Sequence, residues 1–428
     1  MTITYTDTAT GVVTTGSASI VLTVNTPPDV AISAPTCPLA LAAGTPQTFA
    51  GVAADAEDGP LIGAWVDYLT GDTAAGNSWA FQSTVLGKHT LVFSATDSLG
   101  ATASDGCTVT VFPAGATADA LFPSTSAFDA ALTNTTIELV AGDGAGNLLV
   151  GTQGELASFD ATPALIGDWN TAGLGLAGGG VGTAIVRGVG VSGGKMLVGT
   201  SVGLAACTYG AGTVSACTNA EPGIRGFAGI AIAGDLAGTA LVAAASSSGL
   251  YLASYAGGTP TSHFYARDVL TTRDRLNDVR LNGDTLYVAT DSGLCVIGAP
   301  AAAVTTVATT LCDTMVDVGG AATSLAQSGG TLWIGTDSGL VGYDVATRVV
   351  TTDGLPGGRV NDVAIEASGV VWLGTDNGAV RFDPGTGWTT TLRPPDWSGS
   401  STVNSVFIGA DGSKWLGTNQ GLVHYVGA

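Results

Sequence analysis

The stretch VNDVAIEASGVVWLGTDNGAVRFD, Val360 to Asp383, decides the fold. An apolar run (VNDVAI) meets a tight turn (EASG), resumes as VVWLGT, turns again at DNG and returns as AVRFD. Short β-prone runs bounded by Gly, Asn and Asp read as three antiparallel strands joined by hairpins.

The same unit recurs along the chain. Clean copies are NLLVGTQGEL from Asn147, KMLVGTSVGL from Lys195, TLYVATDSGL from Thr285, TLWIGTDSGL from Thr331 and KWLGTNQGLV from Lys414. The threonines Thr152, Thr200, Thr290, Thr336, Thr375 and Thr418 lie 39 to 48 residues apart, except for one double gap of 90. A degenerate copy, ALVAAASSSGLYL from Ala240, fills that gap, so seven units result. A fourth strand fits in the variable stretch before each next unit, and four-stranded units at this period are propeller blades. The expected fold is therefore all-β, with a seven-bladed β-propeller over residues 119–428. Leu149, Leu197, Tyr287, Trp333, Trp372 and Trp415, ahead of the Gly/Ala-Thr step, are expected to pack between blades. The last unit ends at Ala428 with no room for an outer strand. Residues 119–133, DALFPSTSAFDAALT, are expected to supply that strand and close the ring.

The D-x-x-G-x-W-I-G-T-x-x-G-L pattern at this spacing resembles the two-component regulator propeller repeat. The resemblance implies a ligand-sensing module like those of bacterial periplasmic receptors, often linked to polysaccharide detection. No transmembrane helix or kinase follows in this sequence, so what the resemblance is expected to carry over is a recognition propeller on a surface protein.

Upstream, NTPP at Asn25–Pro28 reads as a linker, and residues 26–113 as a separate domain of short strands. TLVFSATD and CTVTVF alternate with the period of a half-buried strand. Trp65 sits where a third strand would place a core aromatic. FAGVAADAEDGPL and HTLVFSATDSLGATASD resemble bacterial immunoglobulin-like, PKD and cadherin-like surface modules, which implies an Ig-like sandwich. In some relatives the acidic segment binds Ca²⁺, and Asp55, Glu57, Asp58 and Asp97 are the matching oxygen donors. The alternative is an acidic turn whose carboxylates are solvated. Residues 1–25 look like the closing hairpin of a preceding domain, and the missing signal peptide reads as truncation.

Composition narrows the partners. Charged residues are 11%, glycines number 64, and 13 Lys plus Arg face 34 Asp plus Glu, a net charge of −21. Such a surface repels phosphate backbones and anionic headgroups, which argues against nucleic acid and membrane insertion. The six cysteines fall into three plausible pairs, Cys37 with Cys107, Cys207 with Cys217 and Cys295 with Cys312. Without C-x-x-C spacing they suit disulfides of a secreted or cell-surface bacterial protein, against the alternative of six reduced buried thiols.

No nucleophile elbow, H-E-x-x-H or phosphate loop occurs. No catalytic residue is assigned and no cofactor is expected beyond Ca²⁺. Aligning the units gives a polar position near the start of each innermost strand: Glu138, Arg187, Arg225, Asn277, Thr323, Asn361 and Asn404. That ring is expected at the mouth of the central channel, with Trp397 beside it as an exposed sugar platform; a wet channel rim or a structural Trp plug is the alternative. Arg267, Arg273, Arg275 and Arg280 are expected to pair with Asp268, Asp274 and Asp278. The leading reading is a non-catalytic recognition protein binding a glycan or other surface ligand. A structural or adhesin fragment that contacts protein partners, and a cryptic carbohydrate lyase or hydrolase, are the alternatives.

Overall fold

The computed structural model describes residues 2–17, 25–115, 121–122, 126–162, 164–176, 184–270, 274–308, 310–355, 358–394 and 396–428. They form two compact units, Met1–Thr84 with His89–Val111, and Val85–Lys88 with Phe112–Ala428.

The first unit contains two larger sheets. One orders Leu39–Ala42, Thr102–Phe112, Gly87–Thr96, Ala64–Asp67 and Thr73–Ala75. The other orders Asp29–Ala34, Gln47–Asp55 and Gly59–Pro60, with Ser78–Phe81 paired to Gln47–Asp55. Every second residue of Gln47–Asp55 from Phe49 onward is buried, as the period-two rule requires of a strand with one core face. Trp65 is buried on Ala64–Asp67, its ring 4.8 Å from that of Phe93 and 6.1 Å from that of Phe49. A disulfide joins Cys37 to Cys107. Thr2–Thr6 and Val13–Ser17 pair as a hairpin; residues 18–24 of the expected hairpin segment lie outside the described residues.

The second unit is built from antiparallel sheets whose strands follow chain order from one side to the other. Among the described residues six are four-stranded and one, the last, is three-stranded. Their first strands are Ile137–Gly142, Val186–Ser192, Phe227–Gly234, Leu276–Asn282, Ala322–Ser328, Val360–Ile365 and Val403–Ile408. These strands touch in chain order, and the last touches the first. The arrangement fits a β-propeller.

Local physics explains the repeated motif. Second strands such as Leu148–Thr152 are buried at every position, because each sheet is covered on both faces, and their sequences do not alternate. The motif threonine folds its hydroxyl onto the glycine carbonyl three residues on: Thr336 Oγ1 donates to Gly339 O at 2.9 Å, Thr375 to Gly378 at 2.8 Å and Thr418 to Gly421 at 2.7 Å. That glycine has φ of +145° at Gly339 and +114° at Gly421, conformations that L side chains rarely adopt. The glycine before the threonine serves packing instead. A Cβ at Gly417 would stand 2.7 Å from the Ile137 side chain, so its absence seats the first sheet against the last. The aromatic stripe is core, with Trp372 fully buried and its Nε1 donating to Glu366 Oε1 at 2.7 Å.

One expectation is corrected. Within residues 119–133 the described part holds a helix, Ser126–Ala131, and no strand. Residues 119–120 and 123–125 of that segment lie outside the described residues. The helix uses Asp129 Oδ1 to accept from Leu422 N at 2.9 Å and inserts Phe128 among Phe159, Trp415 and Leu422. A helix thus covers the last sheet where a fourth strand was expected.

Two further disulfides lie within sheets of this unit. Cys207–Cys217 links a third strand to a fourth, and Cys295–Cys312 links a third strand to the segment entering the fourth.

Candidate ligand-binding cavity

A cavity of about 700 Å³ is lined by residues from all seven first strands. Sheet register fixes which residue each strand presents. Val186, Leu276, Ala322, Val360 and Val403 pair with Thr200, Thr290, Thr336, Thr375 and Thr418, and Ile137 pairs with Thr152. The next residue along each strand is Glu138, Arg187, Asn277, Thr323, Asn361 or Asn404, and all six line the cavity.

The third sheet departs from expectation. Phe227 pairs with Ser246 at the equivalent register, so Ala228 takes the ring position. Arg225 lies three residues earlier, and its carbonyl accepts from Ser246 Oγ at 2.7 Å; it does not line the cavity. The degenerate ALVAAASSSGLYL copy, where Ser246 replaces the motif threonine, removed the landmark that would have set this register.

The ring asparagines hold neighbouring sheets together. Asn277 Nδ2 donates to Ala322 O at 2.7 Å, Asn361 Nδ2 to Val403 O at 3.1 Å, and Asn404 Nδ2 to Ile137 O at 2.9 Å. Thr323 Oγ1 donates to Val360 O at 2.6 Å in the same sense. Each asparagine also donates to the turn of its own sheet, at Asp291, Asp376 or Asn419. Both amide protons are therefore engaged within the fold. Glu138 and Arg187 form the corresponding pair between the first two sheets, with Nε to Oε2 at 3.3 Å, and the Arg187 side chain is 42% exposed.

A second ring, one residue further along, was missed. Asp278 Oδ1 accepts from Val279 N and its Oδ2 from Leu325 N, both at 2.8 Å. Asp362 Oδ2 accepts from Val406 N at 2.8 Å and Ser405 Oγ at 3.0 Å, while Oδ1 accepts from Val363 N and Ser324 Oγ. Ser405 Oγ in turn accepts from Val140 N at 3.0 Å. The bonds run from the fourth sheet through the fifth, sixth and seventh to the first. Burial pushes the Asp278 carboxyl up to about 7 against its two backbone donors, and burial raises Asp362 as well. The signal for both was present in the sequence: RLNDV and RVNDV each place Asp inside an apolar strand at one register.

Arg275 and Arg359 also line the cavity, each one residue ahead of its strand. Among the described residues neither forms an ion pair, nor do Arg267 and Arg280, although the Arg280 charge acts on Asp278. Arg273 lies outside the described residues. Trp397 is corrected too: it is 7% exposed, its Nε1 donates to Ser400 O at 3.1 Å, and it packs in a cluster with Trp372 and Tyr425. An indole with its N–H satisfied and its faces buried is no sugar platform.

In the first unit the acidic segment is held by its own backbone. Asp55 Oδ1 accepts from Glu57 N and Asp58 N, Asp58 Oδ2 from Ser98 N, Asp97 Oδ1 from Leu99 N and Ala101 N, and Glu57 Oε2 from Thr26 Oγ1. Among the described residues no three such groups gather as a metal site. Asp55 Oδ2 is buried without a partner.

No family model matches the sequence, and no curated protein does. By structure the chain is similar to the extracellular domain of the hybrid two-component system BT4673 of B. thetaiotaomicron, with 17% identity, TM-score 0.54, and 69% of this chain and 38% of that one covered. It is similar to the corresponding domain of BT3049 of the same organism, with 16% identity, TM-score 0.55, and 69% and 40% covered. Streptogramin B lyase matches at 13% identity and TM-score 0.54, with 70% and 95% covered. The chain spans about two-fifths of the length of the two sensor domains. At these identities the likeness shows a propeller-type fold.

Proposed function

We propose that the chain is a non-catalytic, extracellular binding protein in which a seven-bladed β-propeller, preceded by an Ig-like spacer domain, receives a glycan or other surface ligand in its central cavity. One observation carries this reading: a single cavity gathers residues from all seven first strands, and its wall includes two arginines, Arg275 and Arg359, that form no ion pair among the described residues. Seven sheets whose first strands close on themselves support the blade count. The three disulfides support an oxidising compartment. The likeness to sensor ectodomains agrees with a binding role.

The cavity lining favours binding over catalysis. It includes no histidine, lysine or cysteine, and both oxygens of Asp278 and of Asp362 already accept backbone or hydroxyl protons. A base in that state is poorly placed to abstract a substrate proton.

The test is a glycan array probed with the native protein and with Ala228→Trp, which places an indole in the cavity. Binding that the native chain shows and the variant loses, at equal melting temperature, supports the reading. Binding that survives the filled cavity overturns it.

A further inference from the structure

We infer that the cavity selects a compact ligand carrying two or more acidic groups, bound by Arg275 and Arg359 with Arg187 as a third contact. The inference rests on the reading of the cavity as the receptor site and names the chemistry that the site would take.

Arg275 and Arg359 occupy one register position in two different sheets. Each precedes a strand residue, Leu276 or Val360, that pairs with its sheet's motif threonine, Thr290 or Thr375. Arg187 follows Val186, which holds that register in the second sheet. The three arginines therefore come from the second, fourth and sixth sheets and surround the cavity on alternate walls. A monoanion would satisfy one of them. A ligand with two or more carboxylates meets several planar forks at once, each able to bind in a bidentate manner.

The local charge supports this. Arg275 has no side-chain partner among the described residues, and Arg359 uses only Nε, to Asn361 Oδ1 at 3.1 Å. Of the lining carboxylates, Glu138 faces Arg187 and accepts from Gln153 Nε2 at 3.2 Å. Asp278 and Asp362 are tied to backbone N–H groups, and burial favours their neutral forms. Asp291 and Asp376 belong to the adjoining turns: Asp291 accepts from Asn277 Nδ2 and, at 3.4 Å, from Arg275 N, and Asp376 accepts from Asn361 Nδ2. Arg275 and Arg359 thus form no ion pair among the described residues on the cavity wall of a chain with net charge −21. The surrounding field repels anions in general, so capture depends on short-range contacts and weakens with salt.

Calorimetric titration with digalacturonate, citrate and neutral galactobiose tests this, using the native chain, Arg275→Gln, Arg359→Gln and Ala228→Trp. Both arginine side chains are exposed, so the Gln variants should melt with the native chain. The inference predicts that at least one acidic probe binds and galactobiose does not. Each Gln variant should weaken the acidic probe by about ten-fold or more. Binding of digalacturonate alone assigns acidic sugars, and binding of citrate as well assigns compact polycarboxylates. Failure of both acidic probes, or affinities indifferent to the two Gln variants, overturns the inference. The receptor reading then stands or falls separately, on whether Ala228→Trp still abolishes array binding.

Discussion

Replacing Asp362 with Ala removes the acceptor that joins three consecutive sheets. Its carboxylate takes Ser324 Oγ from the fifth sheet, Val363 N from its own, and Val406 N and Ser405 Oγ from the seventh. Val406 N would be left without an acceptor in a buried strand, which costs about 1–3 kcal/mol. The two serine hydroxyls lose one bond each, about 0.5–1.5 kcal/mol apiece, although each still accepts from a backbone N–H. Relief of the desolvated carboxylate offsets part of this, so a net loss of about 3 kcal/mol is expected. Asp362→Asn keeps an acceptor for Val406 N and should cost about 1 kcal/mol. Urea unfolding at neutral pH reads the effect, and only the transition of the second unit should move, because Asp362 lies in it. A loss below about 1 kcal/mol for Asp362→Ala, or equal losses for the two variants, would refute the hydrogen-bonded circuit.

Two further outcomes are expected. The Asp278 carboxyl titrates at about 7 in the folded chain and near 4 when unfolded, so the folded state holds the extra proton between those values. That contribution is complete below about pH 4 and lost as pH rises to about 7, by up to roughly 4 kcal/mol; Asp278→Asn should flatten the slope in pH-dependent denaturation, and an unchanged slope would count against a raised pKa. Chelation should leave the melting temperature of the first unit unchanged, since Asp55, Glu57, Asp58 and Asp97 are held by backbone and side-chain donors. A drop of several degrees on adding EDTA, restored by Ca²⁺, would show that the acidic segment does hold a cation.

Much of the architecture was legible because the repeat states its own register. A Gly/Ala-Thr step, followed in five of its six copies by a Gly three residues after the Thr, fixes two turns and the buried second strand and leaves little freedom. Where the copy decays, so does the reading: Ser246 in place of the threonine shifted the ring position onto Arg225, three residues from Ala228. Polarity at a strand start did not separate a ligand donor from a latch. Asn277, Asn361 and Asn404 look alike in sequence to side chains awaiting a ligand, and only the carbonyl of the next sheet shows where their protons go. Trp397 sits in a Ser/Gly-rich loop that suggests exposure, but loop sequence does not encode what packs over it. The helix at Ser126–Ala131 follows the same logic, since a six-residue segment carries no periodicity with which to distinguish it from a strand.

The most direct test of the account is a crystal structure of the chain with a ligand captured from the array. The account predicts seven sheets closed into one ring, with the ligand between Arg187, Arg275 and Arg359 in the central cavity and within hydrogen-bond reach of at least two of them. A ligand seated on an outer strand or on the first unit, with the cavity holding only solvent, would contradict it.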